Sequence, residues 1–309
     1  MGTLYKNSGV NQQEAHRLEN NIKNINSNIS RFAGVVNITQ TDCVTGLATT
    51  CDSIGSKVMT LYERKLYNNI AKDLIAVNMN NLACSGAKLI GFTDYIAVNK
   101  LESDAITGIV NELNIELQKY NCPLLGGETS EVNSLIAKNQ MDICGFSVGI
   151  NPIKKEKIVS GDIIIGLASS GIHTNGFSLI RKLYNEGQLT EEDLNECLNP
   201  SYNYYNEVID LYKKGKIKDC ANITAGGIYA NLNRILPKGL KANLNLKHIP
   251  KQSIYEKLYE ICGDEIFDVF NAGIGFCMVA ECACNEIFFE DCQKYNPIIL
   301  GVVEWKNYV

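Results

Sequence analysis

At 309 residues, 45% of them hydrophobic and 20% charged, the chain is long enough for two globular domains and too apolar for a disordered one. A net charge of -5 argues against a nucleic-acid surface, whose affinity rests on clustered Lys and Arg, and no apolar run approaches the roughly 18 residues of a membrane span. Twelve cysteines lie scattered without C-x-x-C spacing behind an opening, MGTLYKNSGV, that has no apolar signal core, so reduced thiols in a cytoplasmic protein are expected and structural zinc is not.

In chain order, Tyr5, Lys6, Gly9 and Val10 precede a helical pattern with Ala15, Leu18, Ile22 and Ile25 on one face. Thr49 to Lys57, TTCDSIGSK, reads as a strand end turning into a helix through Val58, Leu61 and Tyr62. It is not a Walker loop, because Ser56 rather than glycine precedes Lys57. Asp52 and Lys57 sit on a turn, outside any apolar face, so replacing either is expected to spare the fold; a plain Asp, Gly and Ser surface turn is the lesser alternative. The next helix turns Ile70, Leu74 and Val77 inward, and the same spacing of four carries Asn81 to that face. Gly91 to Ala97, with Asp94, reads as a strand, and Ser103 or Asp104 can cap a helix whose apolar face is Ile106, Ile109, Val110, Leu113 and Leu117. LLGGETSE, Leu124 to Glu131, reads as a glycine loop offering Glu128 and Glu131, and Met141 to Ile150 as a strand closing the first half.

Asn151, Pro152 and the run Lys154 to Lys157 form the expected linker. Ile163 to Ile165, apolar at every residue, suit a strand buried on both faces. Ala168 to Gly176 then form a small-residue turn, and Phe177, Ile180, Leu183 and Tyr184 an amphipathic helix that Thr174 or Asn175 can cap. The free N–H groups of such a helix start also suit a phosphate. Asn222 to Ile228 is a further glycine turn, Ile254, Leu258 and Ile261 share a helix face, and Asn271 to Met278 is a glycine loop entering a strand.

These blocks resemble, in order and over nearly the whole chain, those of the aminoimidazole ribonucleotide synthetases, the phosphoribosylformylglycinamidine cyclo-ligases. GLASSGIHTNGFSL resembles the family's GLASSGLHSNGYSL; Asp52 to Lys57 resembles DGVGTK; Gly126 to Glu131 resembles GGETAE; NAGIG resembles the end of FNMGIGM; and the YKxxGV start is shared. The resemblance implies an α/β domain over residues 1–151, its strands pairing across a homodimer into a barrel, and an α+β domain over 152–309, with ATP in the cleft between them. It implies ATP-dependent ring closure of a phosphorylated ribotide, with Mg²⁺, and no nucleic-acid or membrane partner. Lys57 and His173 take the catalytic places. Lys6, Asp52, Asp94, Glu128, Thr129 and Asn175 take those that contact the nucleotide, and Asp52, Asp94 and Glu128, with Asn81, those that hold the metal.

The chain departs from the family in the glycine-poor stretch Arg31 to Ala48, at Asn81 where the family has aspartate, and at Asn222 and Ala225 where it has histidine and glycine. Two other readings stay open. One is a sister ATP-dependent enzyme such as a thiamine monophosphate kinase or selenophosphate synthetase, and the other is a degenerate, non-catalytic nucleotide-binding dimer.

Overall fold

The computed structural model describes residues 34–37, 45–249, 252–282 and 290–306. Lys6 with the YKxxGV start, the helical pattern around Leu18, and most of Arg31 to Ala48 lie outside the described residues.

The first half is a five-stranded sheet in the order β1-β2-β5-β3-β4: β1 Gly34–Asn37, β2 Gly46–Ser53, β3 Lys88–Val98, β4 Leu124–Glu131 and β5 Met141–Ile150. Helices α1 Lys57–Glu63, α2 Tyr67–Ala83 and α3 Ser103–Gln118 belong to the same half. β5 alternates strictly, with Met141, Ile143, Gly145, Ser147 and Gly149 buried, as expected of a sheet covered on one face only. The cover comes chiefly from α2, which is buried around nearly its whole circumference. Leu47, Thr49 and Cys51 of β2 stand exposed on the other face, where the Cys51 and Cys144 sulfurs lie 3.5 Å apart. The ten described cysteines are all free, in line with the reduced-thiol expectation.

The second half is a sheet in the order β7-β9-β6-β10-β8: β6 Ile163–Ala168, β7 Asp219–Asn222, β8 Leu240–Leu244, β9 Ile274–Ala280 and β10 Ile298–Trp305. Its neighbours are all antiparallel. β6 and β9 are buried at every residue, as the unbroken apolar run of β6 predicts. Ile163, Ile165 and Leu167 join the main core, which runs on without a break to α2 and the first sheet, while Ile164 points into a second cluster with Ile228, Leu232 and Val303. Around them lie α4 Phe177–Asn185, α5 Glu191–Cys197, α6 Tyr205–Lys213, α7 Gly227–Asn233 and α8 Ser253–Cys262. No helix among the described residues is long and apolar enough to cross a membrane.

Three local expectations are corrected. LLGGETSE is not a loop but the edge strand β4, parallel to β3, because β3 offers it a free row of hydrogen-bonding groups. α3 begins at Ser103 behind Glu102, with no side-chain cap. α4 starts behind Gly176, whose φ of 82° makes a bend closed to most L side chains, so neither Thr174 nor Asn175 caps it.

Candidate functional site

Three turns and one helix meet between the halves. The turn Ser53 to Lys57, leaving β2, faces the turn after β6: Ser56 Oγ and Ser178 Oγ are 3.2 Å apart, and the Thr174 carbonyl oxygen lies 3.9 Å from where a Cβ on Gly55 would stand. The turn after β7 and helix α2 complete the enclosure. Asn80, His173, Thr174, Asn175, Asn222 and Thr224 line a cavity of about 10 Å³ there, room for one water.

Asp52 ends β2 at the rim. Its Oδ1 accepts from the Ser53 N–H at 2.9 Å and its Oδ2 from Asn81 Nδ2 at 3.0 Å. Burial pushes its carboxyl up to about 6, against the pull of those two donors and of Arg234. Asp94 is buried, receives no hydrogen bond from a described residue, and is also pushed up to about 6 by burial. Strand register sets Asp52, Gly145, Asp94 and Gly127 in one row across the sheet, with Asp52 and Asp94 two strands and roughly 10 Å apart. Gly127 has to be glycine, since a Cβ there would lie 2.6 Å from Asp94 Oδ1. Two hard carboxylate oxygens held in poor solvation suit a hard dication that arrives with phosphate oxygens of its own, so the residues fit Mg²⁺.

The rest of the expected metal set is not gathered with them. Glu128 is level with Tyr95, which by strand alternation faces away from Asp94; Glu128 Oε1 accepts from Ser130 Oγ at 3.2 Å, and Thr129 is level with Ile96 on the exposed edge strand. Among the described residues no three His, Cys, Asp or Glu side chains form a metal-binding group. Asn81 points inward as expected but is a link rather than a ligand. Its Oδ1 accepts from Asn222 Nδ2 at 2.9 Å while its Nδ2 donates to Asp52.

Lys57 is fully buried, not open on a turn. Its ammonium donates to the carbonyl oxygens of His173 at 3.0 Å and Asn199 at 2.7 Å, and pairs with Asp73 Oδ2 at 2.8 Å. Enclosed between two carbonyl oxygens and a carboxylate and wholly buried, the ammonium does not reach a phosphate. Asp73 Oδ1 accepts from the Ser201 backbone N–H at 2.7 Å and its hydroxyl at 2.6 Å, so the pair bolts α1 and α2 to the second half.

His173 is also buried, in left-handed backbone conformation at φ 58°. Its Nε2 accepts from the Ser170 N–H at 3.3 Å, which leaves the proton on Nδ1. Burial, then the nearby Lys57 ammonium, push the imidazole down from 6.5 to about 3, so it serves as a neutral donor at the cavity wall. The unfolded chain binds this proton more tightly than the folded one, so His173 makes stability rise with pH between about 3 and 6.5. His173→Asn, which tolerates the left-handed conformation, is expected to remove one proton, about 1.4 kcal/mol per pH unit, from the acid slope. Urea midpoints of both proteins across that window measure the difference, and parallel curves would refute it.

Sequence reasoning missed Asp73, Asn80 and Asn271. Asn80 holds the Tyr202 to Tyr204 segment, donating to the Tyr202 carbonyl and accepting from the Tyr204 N–H. Asn271, 2% exposed, ties its own turn to the turn after β6 and to helix α8: it donates to the Gly171 carbonyl at 3.0 Å and accepts from Ser169 Oγ, the Gly273 N–H and the Tyr255 hydroxyl. The available signal was a polar residue on each inward helix face or beside a glycine pair.

Residues 32–151 match the family AIR synthase related protein, N-terminal domain, and residues 159–307 match AIR synthase related protein, C-terminal domain. The phosphoribosylformylglycinamidine cyclo-ligase of Caldicellulosiruptor saccharolyticus is 33% identical over 337 residues, which cover 98% of this chain and 97% of the relative. The cyclo-ligase of Clostridium perfringens is 35% identical over 301 residues, covering 90% and 89%. In fold the chain is similar to AaThiL complexed with AMPPCP and TMP, with a TM-score of 0.70 at 16% identity over 94% of this chain and 90% of that one. It is also similar to thiamine-monophosphate kinase from Stenotrophomonas maltophilia, with a TM-score of 0.66 at 16% identity over 87% and 86%. Both halves are matched, the matched spans hold the turns that meet around Asp52, and the relatives agree over nearly their full length: the chain belongs to the AIR synthase family.

Proposed function

We propose that the chain uses ATP and Mg²⁺ to close formylglycinamidine ribonucleotide into aminoimidazole ribonucleotide, a step of purine biosynthesis. The observation that carries this reading is 33% identity to a cyclo-ligase over 98% of the chain. Solved relatives of the fold that are described as complexes with AMPPCP or ADP support the choice of ATP. Transfer of the γ-phosphoryl group to the amide oxygen turns a poor leaving group into phosphate, and the substrate's own nitrogen then attacks and closes the ring. Attack within one bound molecule gains from proximity, so the protein's task is to position groups and offset charge.

In this reading Asp52 and Asp94 would hold Mg²⁺, which offsets phosphate charge when bound. The glycine turn before α4, with Asn175 and the Nδ1–H of His173, orients the ribotide or the transferred phosphate. Lys57 is reassigned from its catalytic place to holding the join. Lys6 stays a nucleotide contact on the resemblance alone. Glu128 and Thr129 are assigned to the nucleotide at a sheet edge completed by a second copy of the chain.

The homodimer is proposed because, among the described residues, β4 has no strand on its outer edge and the first sheet leaves Leu47 and Cys51 exposed on one face. Sedimentation at micromolar concentration is expected to give the mass of two chains, and a one-chain mass would overturn this. Incubation with ATP, Mg²⁺ and the ribotide is expected to yield ring-closed product and ADP in equal amounts. ADP without ring closure would point to a sister kinase instead. A degenerate binding module has less support, because Asn81 and Asn222, which as separate departures suggest decay, hydrogen-bond to each other.

A further inference from the structure

We infer that Asn222 is a positioning residue for Asp52, acting through the Asn81 amide across the join between the halves; its role in catalysis rests on the cyclo-ligase reading above. The chain of contacts is short and directional: Asn222 Nδ2 donates to Asn81 Oδ1 at 2.9 Å, and Asn81 Nδ2 donates to Asp52 Oδ2 at 3.0 Å. An ionised carboxylate can only accept, so the Asn81 amide must turn its NH₂ to Asp52 and its oxygen to Asn222. Asp52 thus sets which way Asn81 faces, Asn222 supplies the donor that holds the Asn81 oxygen in that orientation, and Asn81 holds one of the two oxygens of Asp52.

The frame around this chain is rigid. Asn222 ends β7, paired with Phe276 of β9, and is 3% exposed. One turn before Asn81 on the same helix, Asn78 Nδ2 donates to the Asp52 backbone carbonyl at 3.1 Å, so α2 holds both the main chain and the side chain of that residue. Each oxygen of Asp52 keeps one protein donor, from Ser53 or Asn81, and has lone-pair capacity left for a ligand.

Asn81 and Asn222 thus act as one unit, in which changing one partner alone reverses the polarity of a link. Asn222→Asp keeps the shape but offers an acceptor where a donor is needed, so the Asn81 oxygen loses its partner and meets a carboxylate, and the amide is no longer held square to Asp52. Asn81→Asp removes the donor to Asp52 Oδ2 and puts a second carboxylate oxygen in its place. Adding Asn222→His to that variant supplies an N–H donor, and a cation when protonated, opposite the new carboxylate.

The test uses the full chain and four proteins: wild type, Asn222→Asp, Asn81→Asp, and Asn81→Asp with Asn222→His. Each is measured for kcat, for KM of ATP and ribotide, for calorimetric Kd of AMPPCP in Mg²⁺, and for thermal midpoint. Each single change is expected to lower kcat about tenfold or more with the ribotide KM unchanged, and the double change to recover about tenfold over Asn81→Asp. Losses that simply multiply in the double variant, or a lowered midpoint with unchanged kcat, would overturn the inference. Should Asn222→Asp fail to fold, the Asn81→Asp and Asn222→His comparison decides alone. If the wild type does not turn over the ribotide, the cyclo-ligase reading fails, while AMPPCP still judges the link. A tenfold weaker Kd in the single variants, restored in the double, supports it, and equal Kd throughout overturns it.

Discussion

Lys57→Met is expected to destabilise the protein by about 3–5 kcal/mol, because it removes one member of a fully buried ion pair and leaves Asp73 charged in the core. Two carbonyl oxygens, of His173 and Asn199, lose their donor as well. Asp73 keeps its bonds from Ser201, so the damage should fall on the turn before α4 and on the Asn199 segment more than on α2. Urea denaturation followed by far-ultraviolet circular dichroism measures the loss. A variant as stable as wild type would mean that Lys57 is not held as described. Activity should fall too, through displacement of His173 rather than loss of a phosphate contact. The variant's remaining folded fraction should therefore keep a normal KM for ATP with a reduced kcat.

Asp52→Asn is expected to do the opposite to stability while nearly abolishing turnover. Burial raises the Asp52 carboxyl from 3.8 to about 6, so the folded state binds its proton more tightly than the unfolded state does. The contribution of Asp52 to stability accordingly falls as pH rises from about 4 through 6, and at pH 7.5 the ionised group weighs against folding. A neutral amide removes that weight. The thermal midpoint should rise at pH 7.5, and the gain should shrink toward pH 4. Turnover should drop about 100-fold or more, since in the proposed reading Asp52 is an oppositely charged ligand for the cation that offsets the phosphates. A midpoint that falls at pH 7.5, or a kcat within about threefold of wild type, would remove Asp52 from its assigned place.

What the sequence revealed and what it hid divide along physical lines. Strands β5 and β6 were legible because one alternates and the other does not, a direct record of how many faces are covered. The turns were legible because Gly, Ser and Asn cluster where the chain bends back. β4 was not, since its glycines and acids carry no apolar signal and only its partner β3 makes it a strand. The burial of Lys57 was hidden for a related reason: its position on a turn said nothing about the second half, more than 100 residues away, which folds over it. Asn81 was read correctly as inward, but its partner lies 141 residues on, and no local pattern announces such a contact.

The bolt formed by Lys57, Asp73 and Ser201 also limits how the molecule exchanges its ligands. Arg64 with Glu191, and the Tyr205 hydroxyl with the Ala87 carbonyl, fasten the same two halves at other points. Swinging the halves apart like a clam shell would break the two Lys57 bonds to the His173 and Asn199 carbonyls and both Ser201 bonds to Asp73 at once, at about 1–3 kcal/mol for each buried group left without its partner. In the proposed reading, ATP would therefore enter and ADP leave at the glycine turns, with the joined cores kept closed.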